Sequence, residues 1–258
     1  MILVVNEWNG RFGNNIIQII NSIEYCFQEN LNEIYLPNHE FLKSKHIIIN
    51  KIDNNNIIKK SGEFLYALHH RKLINLNAYK IKLYFNKYIK PILNLNNLNQ
   101  KLNCLGINIR SGDIFFNCIH PNYIQPPFSF YKNIINQNNI EIKLFTEDLR
   151  NPCANKLNKD YNLNWQKSSF RSDLENLIRC KKMILANSTL SIFLILMNSY
   201  CEEIFLPDYV YSHFKDRQYD LKELTETKIN IINLPNYIKP NEWKNTKEQH
   251  NIMLNYGI

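Results

Sequence analysis

The sequence predicts an α/β fold built from two successive βα halves, each with a parallel sheet and crossover helices. Three observations carry this. Met1–Asn6 is a short apolar stretch that runs into a glycine turn and then into isoleucines at 3- and 4-residue spacing (Ile16, Ile19, Ile20, Ile23), followed by a second apolar run, Glu33–Leu36, closed by Pro37. The same alternation restarts at Cys104. Between the two lies LNLNNLNQKLN, Asn-rich and weakly periodic, which marks a junction near residue 100.

Taken in order, Met1–Asn6 is expected as a buried strand, Asn15–Glu29 as a helix and Glu33–Leu36 as a strand. The stretch from Phe41 to Leu98 holds HIIINKI and then helical, tyrosine- and lysine-rich sequence up to Tyr88. In the second half Cys104–Arg110 is expected as a strand, Ser111–Pro127 as a long loop and a helix from Ser129. Glu141–Thr146 follows as a strand, Ser172–Cys180 as a helix, Lys182–Ala186 as a strand, Leu190–Ser199 as an apolar helix and Glu203–Leu206 as a strand. No repeat of 20–50 residues is visible.

The composition narrows the function classes. With 258 residues and 45% hydrophobic content the chain can bury a sizeable core. No stretch approaches the roughly 20 apolar residues of a membrane span, and the start resembles no secretory signal, so a cytoplasmic location is expected. The six cysteines form no CxxC pair and are expected as buried free thiols. The net charge of +8 fits an anionic small substrate or a solvated surface better than nucleic acid, because no basic block or nucleic-acid signature accompanies it. The heavy use of Asn, Ile and Lys is what an AT-rich genome produces.

Three motifs stand out. In GRFGNNIIQII, two of the chain's six glycines, Gly10 and Gly13, bracket Arg11 and Phe12 and precede Asn14; glycine is used where φ is positive or backbone approaches something closely. In GINIRSGD, Ile107 and Ile109 alternate up to Arg110, with Asn108 between them, and Ser111-Gly112-Asp113 makes the turn. Ligands of open α/β sheets bind beyond the carboxyl ends of the strands, where an arginine can fork onto a phosphate; a strand-end arginine paired with Asp113 is the structural alternative. In CKKMILANSTLSIF, a polar turn of Asn187, Ser188 and Thr189, with Ser191 after it, leads into the apolar helix, where hydroxyls and free N–H groups take an anion or simply cap.

GRFGN with the following Gln18, INIRSGD and ANSTLSIF, in that order, resemble the three motifs of the fucosyltransferase superfamily, nearest to the α-1,2-fucosyltransferases and protein O-fucosyltransferases. FTED, Phe145–Asp148, is similar to the stretch between the family's second and third motifs. The resemblance covers about residues 6–200 and implies a GT-B-like fold: two Rossmann-like parallel-sheet halves with a cleft between them. Residues 1–100 would form the acceptor side. Residues 101–258 would form the sugar-nucleotide side, with the last residues packing back on the N-terminal half. It further implies an inverting, metal-independent transfer of a deoxyhexose, fucose first, from GDP-fucose to a glycan hydroxyl, the nucleotide sugar being a substrate and no cofactor being needed; the sequence contains no Asp-x-Asp.

By the same resemblance Arg110, Asn14 and Asp113 are the catalytic candidates. Gly10, Arg11, Phe12, Gly13, Asn108, Glu147, Asp148, Asn187, Ser188, Thr189 and Ser191 are the donor-binding ones. Two positions depart from the family: Asn108 replaces the histidine that helps hold the guanine, and Ser111 replaces a second arginine, whose share of the phosphate would pass to Arg11, Arg171 or a lysine. The departures keep open a catalytically silent glycan- or nucleotide-binding relative, and a transferase for another donor such as rhamnose. Asp113, Glu7, Glu147, Asp148 and His120 are the candidate bases for the acceptor hydroxyl. His69-His70, without a third ligand at metal spacing, is expected to be a surface pair. The Pro-bounded loop His120–Tyr131 is expected either to shape the acceptor or donor pocket or simply to have its geometry set by its prolines.

Overall fold

The computed structural model describes residues 1–50, 56–68, 71–116 and 120–257. His69-His70 and Cys118 lie outside the described residues. The chain is α/β and separates into two compact units. Unit 1 holds residues 1–96, 192–197 and 214–225; unit 2 holds 97–191, 198–213 and 226–258. The boundary falls inside the Asn-rich stretch. The segments that group with the first unit from beyond it are 192–197 and 214–225, whereas the last residues, which the sequence expects to pack back on the N-terminal half, group with unit 2.

Unit 1 is built on β1 (Ile2–Val5), α1 (Phe12–Gln28), β2 (Glu33–Tyr35), β3 (His46–Ile48), β4 (Ile57–Lys60), α2 (Gly62–Ala67) and α3 (Ala78–Tyr84). The sheet order is β3-β2-β1-β4. β1 runs parallel to β2 and β4, and β3 pairs antiparallel with β2, so the sheet is mixed. Helix α1 begins at Phe12, three residues earlier than its isoleucine spacing predicts, because Arg11 is already the extended N-cap residue. Its apolar face is almost wholly removed from water: Ile16, Ile17, Ile19, Ile20 and Ile23 are at most 1% exposed. Glu24 on the same buried face is satisfied by α3, accepting from Lys80 Nζ at 2.7 Å and Tyr84 Oη at 2.6 Å. A π-helical turn, Phe85–Ile89, and a 3-10 turn, Lys90–Ile92, continue α3.

Unit 2 contains β5 (Leu102–Asn108), α4 (Phe128–Asn136), β6 (Glu141–Phe145), α5 (Pro152–Asp160), α6 (Phe170–Leu177), β7 (Cys180–Ile184), the start of α7 (Leu190–Met197), β8 (Glu203–Pro207), most of α8 (Asp208–Asp216), β9 (Lys228–Ile232) and α10 (Lys247–Asn255). A short helix α9 (Leu221–Leu224) belongs to unit 1. The five strands are all parallel in the order β6-β5-β7-β8-β9. In chain order that is 2-1-3-4-5, the doubly wound arrangement whose winding direction reverses between the first and third strands, here β5 and β7.

Both faces of this sheet are covered, so β5 is a near-continuous buried run rather than an alternating one. Leu105, Ile107 and Ile109 join the core formed with Tyr131 and Ile134 of α4, Leu157 of α5 and Met253 of α10. Gly106 faces α6, where a Cβ would stand 2.7 Å from Cys180 Sγ and 3.3 Å from Leu177 Cδ2. The glycine is there for packing, not for a phosphate turn. Cys26, Cys104, Cys153, Cys180 and Cys201 are buried free thiols. Among the described residues no helix is long and apolar enough to cross a membrane.

Candidate functional site

The switch point places three loops side by side at the carboxyl ends of β6, β5 and β7. They carry FTED, RSGD and ANST, so sheet order alone brings together the second motif, the third motif and the stretch between them.

The β5 loop is held by its neighbours rather than by itself. Asp148 Oδ1 accepts from Ser111 Oγ at 2.5 Å, from Gly112 N at 3.2 Å and from Arg150 N at 3.0 Å. Ser111 Oγ accepts in turn from Asn151 N at 3.0 Å, and Asn151 Nδ2 donates to the carbonyl of Arg110 at 3.1 Å while its Oδ1 caps α5 through Cys153 N. Gly112 takes φ +67°, a conformation strained for any side chain, and a Cβ there would also have to displace the Glu147 carboxylate. Partial burial would raise the Asp148 pKa, but the hydrogen bonds from Ser111, Arg150 N and Gly112 N, with the Arg150 charge, outweigh it and hold the carboxyl below its ordinary value. Asp148 and Ser111 are therefore braces. Ser111, where the resemblance would put a second arginine, is fully buried.

Against this braced backbone the Arg110 side chain is left over. Its guanidinium lies 4.2 Å from the centroid of the Tyr123 ring, and among the described residues it has no ion pair and no side-chain hydrogen bond. The pairing with Asp113 allowed by the sequence is not the one adopted. Tyr123 sits on the Pro-bounded loop, which is fastened at several points: Asn187 Nδ2 donates to Asn122 O at 2.8 Å, Trp243 N to Pro121 O at 3.3 Å and Tyr237 Oη to Gln125 O at 2.8 Å. The C-terminal residues, silent in the sequence, thus hold the ring on which Arg110 rests. Arg150 adds a second cation beside the same turn, its Nε 3.5 Å from Asp148 Oδ2 and its guanidinium 5.2 Å from the Phe116 ring. Arg171, the other arginine of this half considered as compensation, is engaged with Glu175 at 3.7 Å.

In the β7 loop, Ser191 Oγ is spent on Ala186 O at 2.7 Å and Ser188 Oγ accepts from Leu190 N at 3.2 Å. Asn187 is buried as the latch on Asn122. Thr189 is half-buried in the same turn at the head of α7. Asn108, at the end of β5, is half-buried and makes no side-chain hydrogen bond to another described residue. Asp113 lies half-buried in the 3-10 turn Gly112–Phe115, and Glu147 is exposed.

The first motif belongs to unit 1 and closes on itself. Gln18, fully buried, accepts from Asn9 N at 3.0 Å and donates to Asn9 O at 2.6 Å and Asn14 O at 3.0 Å. Asn15 Nδ2 reaches Asn9 O at 3.3 Å, and its Oδ1 lies 3.2 Å from His39 Nε2. Because His39 Nδ1 accepts from Phe41 N at 3.2 Å, Nε2 carries the proton and donates to Asn15. Burial, partly opposed by Glu40, lowers the His39 pKa and favours this neutral form.

Gly10 takes φ +74°, as a turn glycine should, and its missing Cβ leaves room for the Asn14 amide. Gly13 does not: it is a buried residue in the first turn of α1, so the turn expected to hold both glycines holds one. Arg11 is exposed at the N-cap, Asn14 is half-buried, and Phe12 packs 4.8 Å from Phe193, the ring that follows the third motif and groups with unit 1.

Tyr123, Arg150 and Asn151 are the residues that motif reading misses. Tyr123 lies in a loop singled out for its prolines, and Arg150 stands two residues past FTED, but nothing local ties either to Arg110 or Ser111. Among the described residues no group of three His, Cys, Asp or Glu is arranged to hold a metal. Compared with protein-family models, curated proteins and solved structures, the chain shows no significant match.

Proposed function

We propose that the chain is an inverting glycosyltransferase that moves a deoxyhexose, fucose first, from a nucleotide diphosphate sugar to a glycan hydroxyl. The observation that carries this reading is the Arg110 guanidinium, seated on Tyr123 without a carboxylate partner among the described residues, at the reversal point of a doubly wound sheet. In such a transfer the acceptor oxygen forms a bond to the anomeric carbon while the bond to the diphosphate breaks from the opposite face. Negative charge grows on the departing diphosphate, and a forked, permanent cation held in place beforehand stabilises it. At the head of α7, Ser188 and Thr189 add hydroxyl donors to the same anion. Asp113 and Glu147, the other carboxylates of these loops, are the candidate bases for the acceptor proton.

The test is release of nucleoside diphosphate from GDP-fucose, and from UDP- and dTDP-sugars, in the presence of glycan acceptors. Arg110→Ala is expected to lower turnover by about 10²–10³-fold with the fold retained, the usual cost of losing one charge-stabilising donor. Unchanged turnover would remove Arg110 from the reaction. A binding-only relative is the second reading, favoured by the buried Ser111 where a second phosphate-binding cation would stand. It predicts sugar-nucleotide binding with no transfer to any acceptor.

A further inference from the structure

The net charge of +8 is not spread evenly. Between Glu63 and Asp113 the sequence contains no acid and eight lysines or arginines, which equals the net charge of the whole chain. Six of those eight fall between Arg71 and Lys90, in unit 1.

Helix α3 and its continuation to Ile92 organise this segment. One face is fixed inward: Ile81, Phe85 and Ile89 are fully buried, and Lys80 and Tyr84 are tied to Glu24 of α1. The opposite face carries apolar side chains that a solvated helix has no reason to expose. Tyr79 is 71% and Leu83 41% accessible, one turn apart on the same stripe. The stripe runs on to Lys87 and Lys90, both exposed and without a carboxylate partner among the described residues. Lys43, also exposed, is joined to the end of the stripe by its N–H to Ile92 O at 2.7 Å.

We infer that this face docks on an anionic lipid bilayer, with Tyr79 and Leu83 entering the headgroup layer and Lys87, Lys90 and Lys43 meeting lipid phosphates and carboxylates. Charge complementarity calls for a polyanionic partner, and the apolar stripe selects among polyanions. Leu83 adds nothing to a phosphate contact on nucleic acid, but at a bilayer it removes apolar surface from water, and tyrosine is at home at the headgroup level. The inference stands on unit 1 alone and does not depend on the transferase reading.

It is tested by sedimenting the full chain with phosphatidylcholine vesicles, with and without phosphatidylserine. The chain should partition onto the phosphatidylserine vesicles only, and less so as salt is raised. At roughly a fivefold loss per lysine, the double variant Lys87→Gln/Lys90→Gln should bind about thirtyfold more weakly. Tyr79→Ser/Leu83→Ser, which changes no charge, should also weaken binding. Both variants alter exposed residues, and circular dichroism checks that each stays folded. Equal partition of wild type and either variant would overturn the proposal. So would an oligonucleotide that displaces the chain from vesicles and whose own binding depends on the lysines but not on Tyr79 and Leu83; that result would assign the face to nucleic acid.

Discussion

The two glycine turns, Gly10 in unit 1 and Gly112 in unit 2, look alike in the sequence and are built on opposite plans. Each follows the first strand of its sheet, and each glycine has positive φ, +74° and +67°. In unit 1 the polar side chains that follow the turn are spent on the turn: Gln18 and Asn15 both hold Asn9, with neutral His39 behind them. In unit 2 the bracing comes from neighbouring loops, through Asp148 and Asn151, so the motif's own arginine remains on the Tyr123 ring with no counter-anion among the described residues. A motif thus divides into groups that hold the backbone and groups that can act, and the division depends on what the rest of the chain supplies.

Four substitutions probe this contrast. Arg110→Ala should have the largest effect, about 10²–10³-fold on turnover with little change in melting temperature, because Arg110 braces nothing. Gln18→Ala should do the reverse, costing about 3 kcal/mol of stability as it empties a buried site, strands the Asn9 N–H and leaves Asn9 O only the 3.3 Å bond from Asn15. A denaturant titration reads that cost directly.

Asp148→Asn should cost about 2 kcal/mol at neutral pH by weakening charge-assisted bonds to the β5 loop. The pH dependence has a definite sign. The folded pKa of Asp148 lies below its ordinary value, so its contribution is present above the unfolded pKa of about 3.9 and is lost as pH falls through the folded pKa. The difference in melting temperature between wild type and Asp148→Asn should therefore shrink in acid; a constant difference from pH 7 to pH 2 would contradict the brace. Gly10→Ala, placing a Cβ at positive φ against the Asn14 side chain, should cost only about 1 kcal/mol, since that side chain can turn away.

The fold is legible where burial writes itself into the chain, as a 3- and 4-residue period in the isoleucines of α1 and as apolar runs in β5 and α7. Residues 57–60, 152–160, 208–216, 228–232 and 247–255 are not legible as elements in the sequence, for physical reasons. β4 is half exposed, and α10 buries only Met253, so neither carries a strong period. Helix α5 lies in Asn- and Lys-rich sequence, although Asn151 as cap and Pro152 in the first turn are a readable start.

At the site, the loops were legible because parallel sheets put functional groups at strand ends. Which residue does what was not. Gly106 answers to Cys180, Ser111 to Asp148 and Asn151, and Arg110 to Tyr123, and each of these pairs is set by the tertiary fold rather than by local spacing.

The central claim is that the reversal point of the second sheet receives a nucleotide diphosphate sugar through Arg110. The most direct measurement is calorimetric titration of the full chain and of Arg110→Ala with GDP-fucose, followed by UDP- and dTDP-sugars. The account predicts saturable binding of one of these to the wild type and its loss in the variant. Equal binding by both proteins, or no binding of any sugar nucleotide by the wild type, would contradict it.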